Sequence, residues 1–248
     1  MQSSRTVPTK RSAVKDIPPS PWLERLETLV SAKQEDLHAE GVHDLRVATG
    51  RLRVWLALSG TRALQDDLRW LRRAAAPLRD LDVVIERYGS RTWARALAAR
   101  RELLADQLVG TLSTSRVRGL LSALAVLPPL EDKRAKKRVA DLKEDVERVG
   151  ARARREDEDL EPVHRLRRWV RRLRYAVEWQ GGECSRLEDL QDALGEVGDL
   201  ATAHKALLEI GATNGAEADR LEIERDLAKQ RDRSVSEWKR ARRAVEAL

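Results

Sequence analysis

The stretch V-H-R-L-R-R-W-V-R-R-L-R-Y-A-V-E (163–178) and its echo V-H-D-L-R-V-A-T-G-R-L-R-V-W-L (42–56) decide the fold. Seven of the 15 positions 42–56 are identical to positions 163–177, all at one offset of 121. At ~100° per residue, Val42, Leu45, Thr49, Leu52 and Leu56 fall on one helical stripe. Val163, Leu166, Val170, Leu173 and Val177 do the same in the second copy. That spacing predicts two helices, each packed by one face. A basic stripe runs beside each apolar one: His43, Arg46 and Arg53, then His164, Arg167, Arg171 and Arg174. Like charges on successive turns repel by a few tenths of a kcal/mol, roughly, per pair. No acidic residue is interspersed before Glu178. Such a face is suited to an anionic ligand. Ten residues at ~1.5 Å each give a stripe of ~15 Å, which fits an extended chain of phosphates better than one small anion.

A weaker echo follows each copy. Leu68, Leu71, Ala74, Asp80 and Leu81 match Leu187, Leu190, Ala193, Asp199 and Leu200 at an offset of 119. Duplication is the simplest account. Around the repeats the pattern is helical everywhere, and no segment alternates as a strand would. Helices are predicted from Ser20-Pro21 to about residue 38, over 42–58, over 64–88 with Pro77 kinking or splitting it, and over 89–110 and 114–127. After Pro128-Pro129 they resume over 133–155, 163–179, 187–195, 197–210 and 216–247. The expected organisation is all-α: a polar, disordered tail over 1–20, then one helical domain over 21–248, with a first bundle over 21–129 and a second over 130–248.

Of the 48 basic residues ten are Lys and the rest Arg, the net charge is +7 and the pI is near 9.8. Guanidinium groups hold their charge at any physiological pH and bind phosphate oxygens bidentately. One cysteine, Cys184, excludes an internal disulfide and a Cys-rich metal site. No run approaches the ~18 apolar residues of a membrane helix, and the N-terminus lacks the apolar core of a signal peptide. A cytoplasmic setting is expected.

Through the two long strings, together with L-R-D-L-D-V (78–83), the chain resembles the CHAD family, the "conserved histidine α-helical domain". The resemblance runs from about Pro21 onward. It implies two four-helix bundles related by a pseudo-two-fold axis, with a basic groove where they meet. It also implies binding of inorganic polyphosphate and association with intracellular polyphosphate granules. Carried over by position, the binding residues are His43, Arg46, Arg51 and Arg53 in the first copy, and His164, Arg167, Arg168, Arg171, Arg172 and Arg174 in the second. Arg79 in the short string and Arg72 two turns earlier join them. Gly50 departs from the family pattern, which usually has a basic residue there, as Arg171 is in the second copy. The first half of the groove is therefore expected to be the weaker, and Gly50→Arg to strengthen it. The wheel places Arg51 and Arg172 opposite the apolar stripe, at the edge of the ligand's reach.

Other chemistry has thin support. There is no P-loop, nucleophile elbow or dinucleotide fingerprint. Glu222-Ile223-Glu224 lacks the Lys of the triphosphate-tunnel signature. The expectation is a non-enzymatic binder with no catalytic residue, metal or cofactor, and with polyphosphate as partner. The competing readings are a nucleic-acid-binding protein using the same charge, a phosphate-metabolising enzyme, and a metal-binding accessory. Most of the seven Trp read as core rather than as stacking platforms for bases. Asp44, Asp80, Asp82 and Asp199 read as caps or as groups that orient the arginines. The basic runs Lys133 to Arg138 and Lys239 to Arg243 read as solvated faces.

Overall fold

The computed structural model describes residues 16–31, 37–153, 160–210 and 216–247. Among them the chain is helical, with one isolated bridge between Ile17 and Leu130. The helices are α1 (Ser20–Val30), α2 (Ala39–Ser59), α3 (Gln65–Ala74), α4 (Ala76–Tyr88), α5 (Thr92–Arg95), α6 (Leu97–Leu112), α7 (Ser115–Ala125), α8 (Asp132–Ala153), α9 (Glu161–Trp179), α10 (Ser185–Ile210) and α11 (Ala216–Ala247).

The two repeated strings form α2 and α9, and their apolar stripes are buried as the wheel requires. Thr49, the one polar member, is satisfied within its own helix, its hydroxyl donating to the Leu45 carbonyl at 2.8 Å. Each fully buried Leu or Val contributes roughly 1.5–3 kcal/mol by leaving water. Truncating one such as Leu52, fully buried in α2, would cost about 2–5 kcal/mol.

In the second half α8, α9, α10 and α11 close a ring of four, each packed on the next. In the first half α1, α2, α3 and α7 do likewise, with α4 to α6 continuing from α3. The halves meet through α2 on α9, α2 on α8 and α4 on α10. One apolar core runs across this junction, from Leu26 and Leu52 to Val170 and Leu194. A smaller one joins Leu81 and Trp93 to Leu200 and Ile223. Both cores cross the chain's midpoint, so the two halves share their interior.

Several boundaries differ from the sequence pattern. Helix α1 ends at Val30; residues 32–36 lie outside the described residues, and His38 is the extended N-cap of α2. Gly41 therefore sits in the first turn of α2 rather than ending a helix. Gly60 does end one, taking the left-handed φ of 76° that closes α2. Of the two outcomes expected at Pro77 the structure takes the split: Pro77 lies in the first turn of α4, after a break at Ala75. Residues 187–195 and 197–210 form one helix, α10. Of the tail expected over 1–20, residues 1–15 lie outside the described residues, while Ile17 and Pro19 are buried. Ile17 pairs by its backbone with Leu130 and accepts the Trp55 indole N–H at 3.0 Å.

Candidate polyanion-binding site

Two cavities open where the halves meet. The first, about 500 Å3, lies between α2, α4, α9 and α10. His43 and Arg46 enter it from α2, Arg79 and Asp80 from α4, Arg167, Arg171 and Arg174 from α9, and Glu196 and Asp199 from α10. The second, about 430 Å3, lies between α2, α3, α8 and α9. Arg53, Arg69, Arg138, Arg168 and Arg172 line it. Arg72, Arg171 and Tyr175 line both cavities and so form the waist between them.

The waist is the least compensated part. Arg46, Arg53, Arg72, Arg171 and Arg172 have no carboxylate oxygen within 4.0 Å among the described residues. Burial lowers the pKa of each from the ordinary guanidinium value, and neighbouring arginines add to the effect. Arg72 is pushed down to about 9 by burial and then by Arg171 and Arg46. Arg171 is pushed down to about 10 by burial, against the opposing pull of Tyr175. Arg53 Nε is buried without a hydrogen-bond partner. Arg72 donates only to a neutral group, the Arg46 carbonyl, at 2.5 Å.

The mouth of the first cavity is balanced differently. Arg167 sits 3.7 Å from Asp199. Asp80 and Asp199, equivalent at the 119 offset, both have raised pKa values. Asp80 keeps contact with solvent, yet the cavity walls desolvate its carboxyl, and the nearby Arg46 opposes that shift. His43 is lowered by desolvation and then by Arg79. Arg79 reaches Glu86 at 3.9 Å, and Arg174 reaches Glu178 and Glu188 at 3.3 and 3.4 Å. Reading these carboxylates as partners that orient arginines fits Asp199. It also fits Asp82, which is buried away from the cavities and pairs with Arg101 at 2.7 Å.

Ten of the twelve predicted site residues line the two cavities, and two do not. Arg51 lies between the rings of Trp22 and Tyr175, at 4.2 and 4.4 Å, and pairs with Glu178. Its carbonyl accepts the Trp179 indole N–H at 3.0 Å. It is an internal tie between α2 and α9, and does not reach a cavity from the edge as its place opposite the apolar stripe allowed. His164 is half-buried on α9 and lines neither cavity. The matching histidines thus have unlike places. Arg168 lines the second cavity while paired with Glu161 at 2.7 Å.

The sequence pattern missed Arg69, which lies outside both repeated strings, and assigned Arg138 to a solvated face. Both line the second cavity. The rest of the run from Lys133 lines neither cavity, and Lys239, Arg242 and Arg243 face a separate small pocket beside Trp238. Tyr175, at the edge of the predicted stripe, is buried at the waist. Trp169 lines the second cavity, but the Arg172 guanidinium sits over its ring at 4.8 Å, so that face is not open to a base. Among the described residues, one group of side chains could gather a metal ion: Glu178, Cys184 and Glu188. Both carboxylates already engage Arg174, and Glu178 also engages Arg51.

Comparison with known proteins agrees with this architecture. The family model described as the CHAD domain matches residues 22–208. No curated protein matches the sequence. The solved CHAD domain from the plant Ricinus communis is similar in structure, with a TM-score of 0.69 and 21% identity over 99% of this chain and 98% of that one. PptA from Streptomyces chartreusis superposes with a TM-score of 0.66 at 17% identity, covering 94% of this chain and 97% of that one. At those identities the likeness concerns the fold. No helix among the described residues is long and apolar enough to cross a membrane.

Proposed function

This chain belongs to the CHAD domain family, and we propose that it binds inorganic polyphosphate without turning it over. The polymer enters the first cavity past His43 and Arg79, crosses the waist at Arg72 and Arg171, and continues along Arg53 and Arg172 in the second. One observation carries the reading: Arg72 and Arg171 line both cavities with no carboxylate oxygen within 4.0 Å among the described residues, and neighbouring arginines help to lower the pKa of each. A buried, unneutralised charge is costly unless something pairs with it. An anion with regularly spaced phosphates, each accepting charge-assisted hydrogen bonds, supplies that pairing.

The placement of the carboxylates supports binding rather than catalysis. Asp199 answers an arginine, and Asp80 stands at the cavity mouth under the field of Arg46. The Glu178–Cys184–Glu188 group lies among cations that repel a metal ion. Association with intracellular polyphosphate granules is the corresponding expectation in the cell. Nucleic acid shares the charge but needs open stacking faces, and Arg172 covers that of Trp169.

The test is competition at equal phosphate concentration: long-chain polyphosphate should displace single-stranded DNA or RNA, and the reverse result refutes the proposal. Incubation with polyphosphate and a divalent metal should leave the chain length unchanged. Shortening would show an enzyme.

A further inference from the structure

We propose that Arg72 on α3 replaces the basic residue missing from α2 at Gly50, so that the two halves of the groove bring equal charge to the waist. This rests on the reading of the groove as a polyanion site, and it reverses the expectation that Gly50 weakens the first half.

The space over Gly50 is already filled. A Cβ built there would lie 2.8 Å from Arg72 Nη1 and 3.3 Å from Tyr175 Cε2. The guanidinium of Arg72 therefore occupies the volume that a side chain at position 50 would claim. It is held by its bond to the Arg46 carbonyl, one turn earlier on the same helix. That carbonyl also has the Thr49 hydroxyl at 3.2 Å, so it did not need a guanidinium to satisfy it. Arg72 lines both cavities and has donors beyond that one bond.

The repeat shows an exchange. Gly50 corresponds to Arg171 at the 121 offset, and Arg72 corresponds to Gln191 at the 119 offset. In the second half the cation comes from α9 and its α10 counterpart is a neutral Gln. In the first half the cation comes from α3 and its α2 counterpart is Gly. Arg72 and Arg171 both line both cavities, so the two routes deliver a guanidinium to one place. Each position in the first half depends on the other: Arg72 can lie across α2 because residue 50 has no side chain.

The experiment is a double-mutant cycle on the full chain with long-chain polyphosphate as ligand, read by titration at fixed salt and by the salt dependence of affinity. Arg72→Gln should weaken binding by about tenfold, the loss of one charge-assisted contact, and lower the log–log salt slope by about one. Gly50→Arg in the wild-type background should bring no gain, because its place is taken. In the Arg72→Gln background the same change should restore most of the affinity. Thermal melting of each variant separates loss of contact from loss of fold, and Arg72→Lys, which keeps the charge, should bind between wild type and Arg72→Gln. The inference is overturned if wild type binds but Arg72→Gln matches it within about twofold, or if Gly50→Arg helps equally in both backgrounds. A wild-type chain that does not bind polyphosphate overturns the reading of the groove, and this inference with it.

Discussion

The salt dependence of polyphosphate binding can be worked out from the waist. Each arginine that neutralises a phosphate releases a condensed counterion, giving a log–log slope of roughly −0.7 to −0.9 per contact on nucleic acids. Arg46, Arg53, Arg72, Arg171 and Arg172 have no carboxylate to surrender, so each can contribute in full. Arg167, Arg174 and Arg168 must first release Asp199, Glu178 or Glu161, and contribute less. Five full contacts give a slope of about −4. Affinity should then fall by about 200-fold between roughly 50 and 200 mM monovalent salt. Titration of fluorescently labelled polyphosphate across that range measures the slope directly. Arg171→Gln should make it shallower by about one. Arg51→Gln should leave it unchanged, since Arg51 is spent on Glu178. A wild-type slope shallower than about −2, or an Arg51→Gln effect as large as that of Arg171→Gln, would refute the view that unpaired waist arginines carry the binding.

Affinity should rise as pH falls below about 6.5 toward the carboxylate range, by roughly 1 kcal/mol for each carboxylate neutralised in the cavity. Asp80 and Asp199 have raised pKa values and lose their negative charge early on acidification, while His43, lowered by desolvation and Arg79, is neutral near pH 7 and gains charge. All three changes make the first cavity more positive, and Asp80→Asn with Asp199→Asn should flatten the profile; a profile that falls on acidification would contradict this reading. Arg101→Ala should leave polyphosphate affinity unchanged but destabilise the fold by about 3–5 kcal/mol, because it strips the partner from Asp82, whose side chain is 1% exposed. For a chain of this size that is a fall in melting temperature of roughly 10 °C, measured by circular dichroism. Arg51→Met should also lower the melting temperature, through the lost stacking on Trp22 and Tyr175, with binding intact.

The fold was legible because the apolar stripes of α2 and α9 keep a helical period over four turns, and period alone tells which face is buried. The breaks were less legible. Pro77 reads equally well as a kink inside a helix or as the first turn of a new one, and only the packing of α4 against α10 decides. Ile17 looked like part of a polar tail because its partners, Leu130 and Trp55, are far away in sequence. For the site, the wheel put His43, Arg46 and Arg53 on a face that lines the cavities but did not give the neighbours. Arg51 and Arg172 share one register, yet Glu178 and two aromatic rings enclose the first, while the second opens on a cavity. Arg69 and Arg138 lie outside the two long repeated strings, so the stripes of α2 and α9 could not connect them to the site.

The distribution of carboxylates explains how a cluster of cations is kept ready without collapsing or being neutralised in advance. Around the mouth Asp80, Asp192, Glu196 and Asp199 stand among the arginines, and at the far end of α9 Glu178 and Glu188 hold Arg174. At the waist no such partner among the described residues stands within ion-pair reach of Arg72 or Arg171. Repulsion there is resisted by the shared apolar core beneath α2 and α9, in which Leu52, Val170 and Leu173 are fully buried. A phosphate arriving at the mouth must compete with carboxylates that already answer the arginines, so contacts there are weak and exchange easily. On the proposed reading a phosphate reaching the waist would meet no such competitor and would relieve repulsion that the fold has already absorbed, which would make the waist the anchoring point and the mouth the entry. The ordering depends on the polymer being long enough to occupy both, so chains too short to span from His43 to Arg72 should bind at the waist alone and lose the pH dependence that Asp80 and His43 confer.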